Sequence, residues 1–233
     1  MFIGHYALGL AAKRLAPRTS LGTLIAAPTF ADLIWPVFLM LGWERVSVAG
    51  GTNPFLTLSF DAYPISHSLV TLAAWGGLLG ALYQMKTAYA RGALVVGLLV
   101  FSHWVLDWIV HIPDLPLYPG GPKVGLGLWR SAPTTVVIES LMFIGGIGVY
   151  VTTTRARDRI GRYAFWGLTL LLSLSYIASL FNPPPANVTV LAVGGILFGW
   201  LFVALAWWAD AHRDAALRDT ASPDDAYRAE RTG

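Results

Sequence analysis

Six apolar runs, at residues 21–43, 64–85, 89–112, 134–154, 163–181 and 188–208, divide this chain. Each is close to the roughly 20 residues that a helix needs to cross a bilayer. Breakers separate them: Gly50-Gly51, a Pro- and Gly-rich stretch over 112–133, and Asn182-Pro183-Pro184-Pro185. The pattern predicts an all-α integral membrane protein with about six transmembrane helices and no internal repeat. The first run contains Asp32 and Pro36 and the third His103 and Asp107, so the boundaries of these two are the least sharp. Met1 to Ala16 is apolar but too short to cross. No positive charge precedes it, so it is read as part of the mature chain rather than as a leader, and as a half-helix buried in protein. Residues 1–208 form the expected membrane-embedded domain. Residues 209–233 alternate acidic and basic side chains and are read as a charged, partly disordered cytoplasmic tail, with His212 in solvent.

Composition agrees with the pattern. The chain has 233 residues, 55% of them hydrophobic and only 12% charged, with a mean hydropathy of +0.58. A soluble domain carries about a quarter charged residues. Ten Trp, nine Tyr and eleven Phe suit aromatic belts at two membrane interfaces. Of the sixteen Lys and Arg, only Arg45, Lys123 and Arg130 fall on one side of the predicted spans. By the positive-inside rule both termini are cytoplasmic, in a multi-pass protein of the plasma (inner) membrane. The net charge of +3 forms no basic stripe, so no nucleic-acid partner is expected.

There is no cysteine, which excludes disulfides and thiolate metal sites. A metal would be held by His and carboxylates. Phe101 to Asp114 places His103, Asp107 and His111 at spacings of four. Successive members lie about 40° apart around a helix and share one face. Imidazole and carboxylate in a low-dielectric setting need compensation, and a cation supplies it. Counted from Arg91, His103 is roughly 18 Å and Asp107 roughly 24 Å deep, and Asp32 counted from Thr19 is roughly 20 Å deep. His67 and Glu139 enter their spans from the opposite side, His5 lies in the half-helix, and His111 falls near the outer surface. The candidate metal ligands are therefore His5, roughly 12 Å deep from the cytoplasmic edge, and Asp32, His67, His103, Asp107, His111 and Glu139, these six in the outer half of the membrane. Each has a plainer reading: a hydrogen bond between helices for His5, a cap for Asp32, an exposed His67, a local His103–Asp107 pair, or Glu139 balancing Arg130.

Four segments, Gly4-His5, Ala27-Pro28-Thr29-Phe30-Ala31-Asp32, Ser66-His67-Ser68-Leu69 and Ser102-His103-Trp104-Val105-Leu106-Asp107, resemble the bacterial membrane-bound metal-dependent hydrolases, a family that includes a LexA-regulated inner-membrane protein. The resemblance covers about the first 120 residues. The order His, Asp, His, then His-x-x-x-Asp is also distantly similar to zinc-dependent phospholipase C and P1 nuclease. It implies that His5, Asp32, His67, His103, Asp107 and His111 are ligands, one aspartate bridging two ions. The chain starts Met-Phe, where those enzymes have a Trp whose amino group ligates. It also lacks their last His-x-x-x-carboxylate pair, since Thr135 stands four residues before Glu139, so a third metal is not expected. In the membrane family a His-Arg pair often precedes the Ser66-like segment; here Asp61 and Tyr63 occupy that region.

The resulting expectation is a phosphoester hydrolase using divalent metal, two Zn in the first instance with Mn or Fe as alternatives, on an amphiphilic, phospholipid-like substrate in the bilayer. Asp61 or Asp114 would take a proton from the attacking water. Arg130 or Lys123 would hold the phosphate. Two other classes fit the same residues: a transporter or proton/metal-coupled carrier, which needs access from both sides, and a non-catalytic membrane protein with a closed structural metal site. The oligomeric state is not legible in the sequence.

Overall fold

The computed structural model describes residues 1–216, so residues 217–233 of the expected tail lie outside the described residues. The protein is mainly helical: α1 (Ile3–Ala12), α2 (Leu21–Ala26), α3 (Phe30–Met40), α4 (Pro64–His67), α5 (Leu69–Thr87), α6 (Ala90–Val110), α7 (Ala132–Thr153), α8 (Arg159–Phe181) and α9 (Val188–Ala211). By length and apolarity, α6, α7, α8 and α9 are each able to cross a membrane. They carry exposed Leu98, Leu141, Ile144, Leu170 and Leu197, as surfaces in contact with lipid do. Exposed Trp43 and Trp108 mark one end of the bundle, and Trp166, Trp207 and Trp208 the other.

Two expected spans are interrupted, and the interruptions build the site. The 21–43 run is split into α2 and α3 by a turn at Ala27–Thr29. Pro28 lacks the N–H that would continue α2, and Thr29 leaves the helical angles at φ −100° and ψ 6°. The 64–85 run is split at Ser68, whose extended backbone ends α4 and whose Oγ accepts from Thr71 N at 3.3 Å to cap α5. His67 and Asp32 therefore sit beside breaks.

Short strands, absent from the all-α expectation, close both ends. β1 (Arg45–Val48) pairs antiparallel with β2 (Leu58–Ala62), and β3 (Leu115–Pro116) with β4 (Lys123–Val124), at the end that also holds the 3₁₀ turns Pro54–Leu56 and Leu128–Arg130. At the other end β5 (Thr154–Ala156) pairs with β6 (Arg213–Ala215). These ladders satisfy backbone groups where helices stop. They also order the first residues assigned to the tail: α9 runs on to Ala211, and His212 Nδ1 lies 2.7 Å from Asp158 Oδ2 rather than free in solvent.

Small residues set the helix spacing. A Cβ on Gly76 would lie 2.7 Å from Gly97 O, and one on Gly97 2.9 Å from Gly76 O, so α5 and α6 meet backbone to backbone. The half-helix α1 is buried against α7. Glu139 of α7 caps it, Oε2 accepting from Phe2 N at 2.8 Å and Gly4 N at 3.2 Å. Opposite the ligand end, Asp210 accepts from Lys13 Nζ (2.6 Å), Leu21 N (2.9 Å) and Tyr150 Oη (2.7 Å), joining α1, α2, α7 and α9.

Candidate metal centre

The i, i+4, i+8 spacing on α6 does what the sequence predicts. His103, Asp107 and the C-terminal cap His111 share one face, and all three are buried. Nε2 of His103 is 3.1 Å and Nε2 of His111 3.5 Å from Asp107 Oδ2. On the other oxygen, Oδ1, His5 Nε2 lies at 3.1 Å and the Met1 amino group at 2.6 Å. His67 Nε2 stands 3.6 Å from Asp32 Oδ1. The rings of His5 and His103 stack at 4.0 Å and 4°. Two overlapping groups, His5–His103–Asp107 and Asp32–His67–His103, each have their ligand atoms within 4.8 Å of one another.

The outer hydrogen bonds assign the protons. His103 Nδ1 lies 2.8 Å from the Pro28 carbonyl, which only accepts, so Nδ1 carries the hydrogen and Nε2 of the neutral ring is a lone pair. Ser66 Oγ donates its single proton to Glu44 Oε2 at 2.6 Å and therefore accepts from His67 Nδ1, also at 2.6 Å. His111 Nδ1 donates to Asp114 Oδ1 at 2.8 Å. Tyr63 Oη steadies that end by donating to the Asp114 carbonyl at 3.0 Å. Burial, helped by the Asp114 carboxylate, pushes the Tyr63 hydroxyl above its ordinary value, so it stays a donor.

In their neutral form three imidazoles thus turn bare Nε2 atoms toward carboxylate oxygens. Lone pair faces lone pair, an arrangement that repels unless a cation lies between. Nε2 of His103 has no hydrogen-bond partner among the described residues despite its 3.1 Å separation from Asp107. Imidazoles whose Nδ1–H is held by a carbonyl, hydroxyl or carboxylate are the form in which histidine binds metal. The donor set fits one or two divalent ions.

A cavity of about 640 Å³ adjoins the cluster, lined by Asp32, His67, Asp107, His111 and Glu139 on its polar side. The Asp32 side chain remains 48% exposed, whereas those of Asp107 and His103 are buried. The cluster is therefore open toward this space.

Six of the seven predicted ligands converge. Glu139 lines the same cavity but spends Oε2 on the α1 amides, and Oε1 has no partner among the described residues. Asp114 is the orienting partner of His111 instead of a free base. Asp61 lies exposed on β2, with Ser59 Oγ on its carboxylate at 3.2 Å, and does not line the cavity. Arg130 is exposed and outside it as well. Lys123 Nζ is bound to the carbonyls of Phe60 (3.0 Å) and Asp61 (3.2 Å). The β1–β2 and β3–β4 pairing holds Asp61 and Lys123 in strands at the loop end. Sequence reasoning missed Glu44, Ser66 and the Pro28 carbonyl. The one available signal was an acid just past an apolar run, in Trp43-Glu44-Arg45.

Comparison with protein-family models, with curated proteins and with solved structures finds no match to this chain, and the functional reading rests on the geometry of the site.

Proposed function

We propose that this chain is a membrane-embedded, metal-dependent hydrolase that cleaves a phosphoester of an amphiphilic substrate. The observation that carries the reading is the set of three buried imidazoles whose Nδ1 atoms are held by outer partners and whose Nε2 atoms face Asp107 and Asp32. In this reading the membrane is the plasma (inner) membrane. The two interrupted runs complete six crossings, both termini are cytoplasmic, and the cluster lies toward the outer face, because the opposite end carries most Lys and Arg.

His5, His67, His103, His111, Asp32 and Asp107 would hold two divalent ions, with zinc matching the His-rich set and Mn or Fe as alternatives. Such ions, when bound, act as Lewis acids and bring the pKa of a bound water to about 7. The remaining chemistry belongs to the chain. The Asp32 side keeps the cluster open to the cavity, which distinguishes it from a closed structural site. Glu139 lines the cavity with Oε1 buried and without a hydrogen-bond partner among the described residues, and it takes the proton from the attacking water. Asp114, Ser66 with Glu44, and Pro28 hold the rings in register. The Lys13–Asp210–Tyr150 knot fills the other end of the bundle, which favours an enzyme with one-sided access over a carrier.

Metal analysis of the purified protein, with phosphodiesterase assay, tests this. One to two divalent ions per chain and metal-dependent hydrolysis are expected, both abolished in His103→Ala. A metal content below one per chain that His103→Ala leaves unchanged would overturn the proposal.

A further inference from the structure

Resting on the hydrolase reading, we infer that the substrate is a lipid whose single hydrocarbon chain lies in the cleft between α3 and α8 on the floor of α9, entering sideways from the bilayer. The cavity that meets the ligand cluster continues away from it as an apolar slot. Its walls are Leu33 and Pro36 of α3, Ser175, Ala178 and Ser179 of α8, and Phe198 of α9. Both α3 and α8 pack on α9, and glycines bring α9 close: a Cβ on Gly195 would lie 2.8 Å from Pro36 Cγ, and one on Gly199 2.8 Å from Leu33 Cδ2. A volume of about 640 Å³ falls within the range of about 300–1,000 Å³ in which pockets enclose whole small ligands.

Two features say which way this space opens. Toward the loop end, Phe55, Phe60 and Trp129 line it and stack on one another, with Trp129 4.1 Å from the His111 ring. Asn53 Nδ2 fastens that roof by donating to Trp129 O at 2.7 Å. On the flank, lining residues Ala178 and Ser179 are exposed and Phe198 is 55% exposed. Their neighbours on the surface are the exposed Ile177, Phe181, Leu197 and Leu201. An opening ringed by exposed aliphatic and aromatic side chains at spanning depth meets hydrocarbon rather than water.

The head-group end is equally particular. No Lys or Arg side chain lines the cavity among the described residues, so a phosphate there is met by the ligand cluster. A polar head beside the histidines and a chain running past Ala178 account for both halves of one space.

The test uses the full chain, zinc-loaded in nanodiscs, and dodecyl phosphate bearing a diazirine at the chain end. Labelling is expected in 175–182 and 195–199. Ala178→Trp and Ser179→Trp, both at exposed positions, should each lower it about tenfold, equivalent to about 1.4 kcal/mol of binding. Leu141→Trp, on the exposed face of α7, should leave it unchanged. Labelling spread evenly over α6 and α7, or insensitive to both blocking variants, overturns the cleft. Hydrolysis of a short water-soluble phosphodiester by the same samples separates the two readings. Its absence with specific labelling intact overturns the reaction alone, and its persistence without specific labelling overturns the cleft alone.

Discussion

The hydroxyl of Ser66 stands 2.6 Å from His67 Nδ1, and because its proton is committed to Glu44 Oε2, also 2.6 Å away, it presents His67 with a lone pair. Glu44 thus sets the tautomer of a histidine that it does not touch. It is itself buried and accepts from Ile65 N at 2.7 Å and Ser66 N at 2.9 Å, which fixes the α4 turn.

Glu44→Gln offers Ser66 an amide donor, which lets the hydroxyl turn its own proton toward Nδ1 and moves the ring hydrogen to Nε2. Divalent-metal affinity should fall about 10- to 100-fold, the usual cost of losing an outer partner of a ligand histidine. Nitrogen NMR of the metal-free protein should show the His67 tautomer inverted while His103 is unchanged. An unaltered tautomer would remove Glu44 from this role.

Metal should stabilise the fold, because it relieves facing lone pairs. With zinc at about 1,000 times its dissociation constant, stabilisation of about 4 kcal/mol is expected. Chelation should reverse it. Asp107→Asn should abolish the metal-dependent shift in thermal unfolding, since Asp107 meets three of the histidines.

At the other end, Lys13→Ala should destabilise the protein by about 3–5 kcal/mol, the cost of leaving a buried charge unpaired. Asp210 would keep only Leu21 N and Tyr150 Oη as partners. Zinc stoichiometry should be unchanged, since this cluster is remote from the histidines. A thermal unfolding series with metal analysis separates the two effects.

Gly97→Val forces a Cβ to 2.9 Å from Gly76 O and separates α5 from α6. Overpacking of this kind costs about 1–3 kcal/mol. His103 lies less than two turns further along α6, so metal affinity should drop together with stability. Gly77→Ala, where a Cβ meets nothing within 4 Å, is the control and should leave metal affinity unchanged and stability no lower.

Asp158 gives a pH dependence outside the bilayer region. The Gly161 N–H at 2.8 Å, and then His212 at 2.7 Å, hold its carboxyl below the usual carboxylate range. A lowered folded-state value means that the stabilisation is present above the ordinary carboxylate pKa of about 3.9 and is lost as pH falls through the lowered one. Amide exchange in the first turn of α8 should accelerate over that acid interval, and Asp158→Asn should flatten the dependence.

Sequence alone determined the membrane character and the helical class, because hydrocarbon-length apolar runs leave helix as the way to satisfy the backbone. It also determined the His103–Asp107–His111 face, since four-residue spacing maps directly onto one side of a helix. Asp32 and His67 were legible as apolar-run outliers at a shared depth, and His5 as the histidine of the half-helix. Their meeting depended on breaks at Pro28 and Ser68, which run length does not report. The roles of Asp114, Asp61, Arg130, Lys123 and Glu139 were decided only in three dimensions. Glu139 is set by the amides of Phe2 and Gly4, Lys123 by the carbonyls of Phe60 and Asp61, and Asp61 by the β1–β2 pairing, and contacts distant in sequence leave no periodic trace. For the same reason Glu44 was invisible: a lone acid beyond an apolar run gains its function only when folding places Ser66 against it.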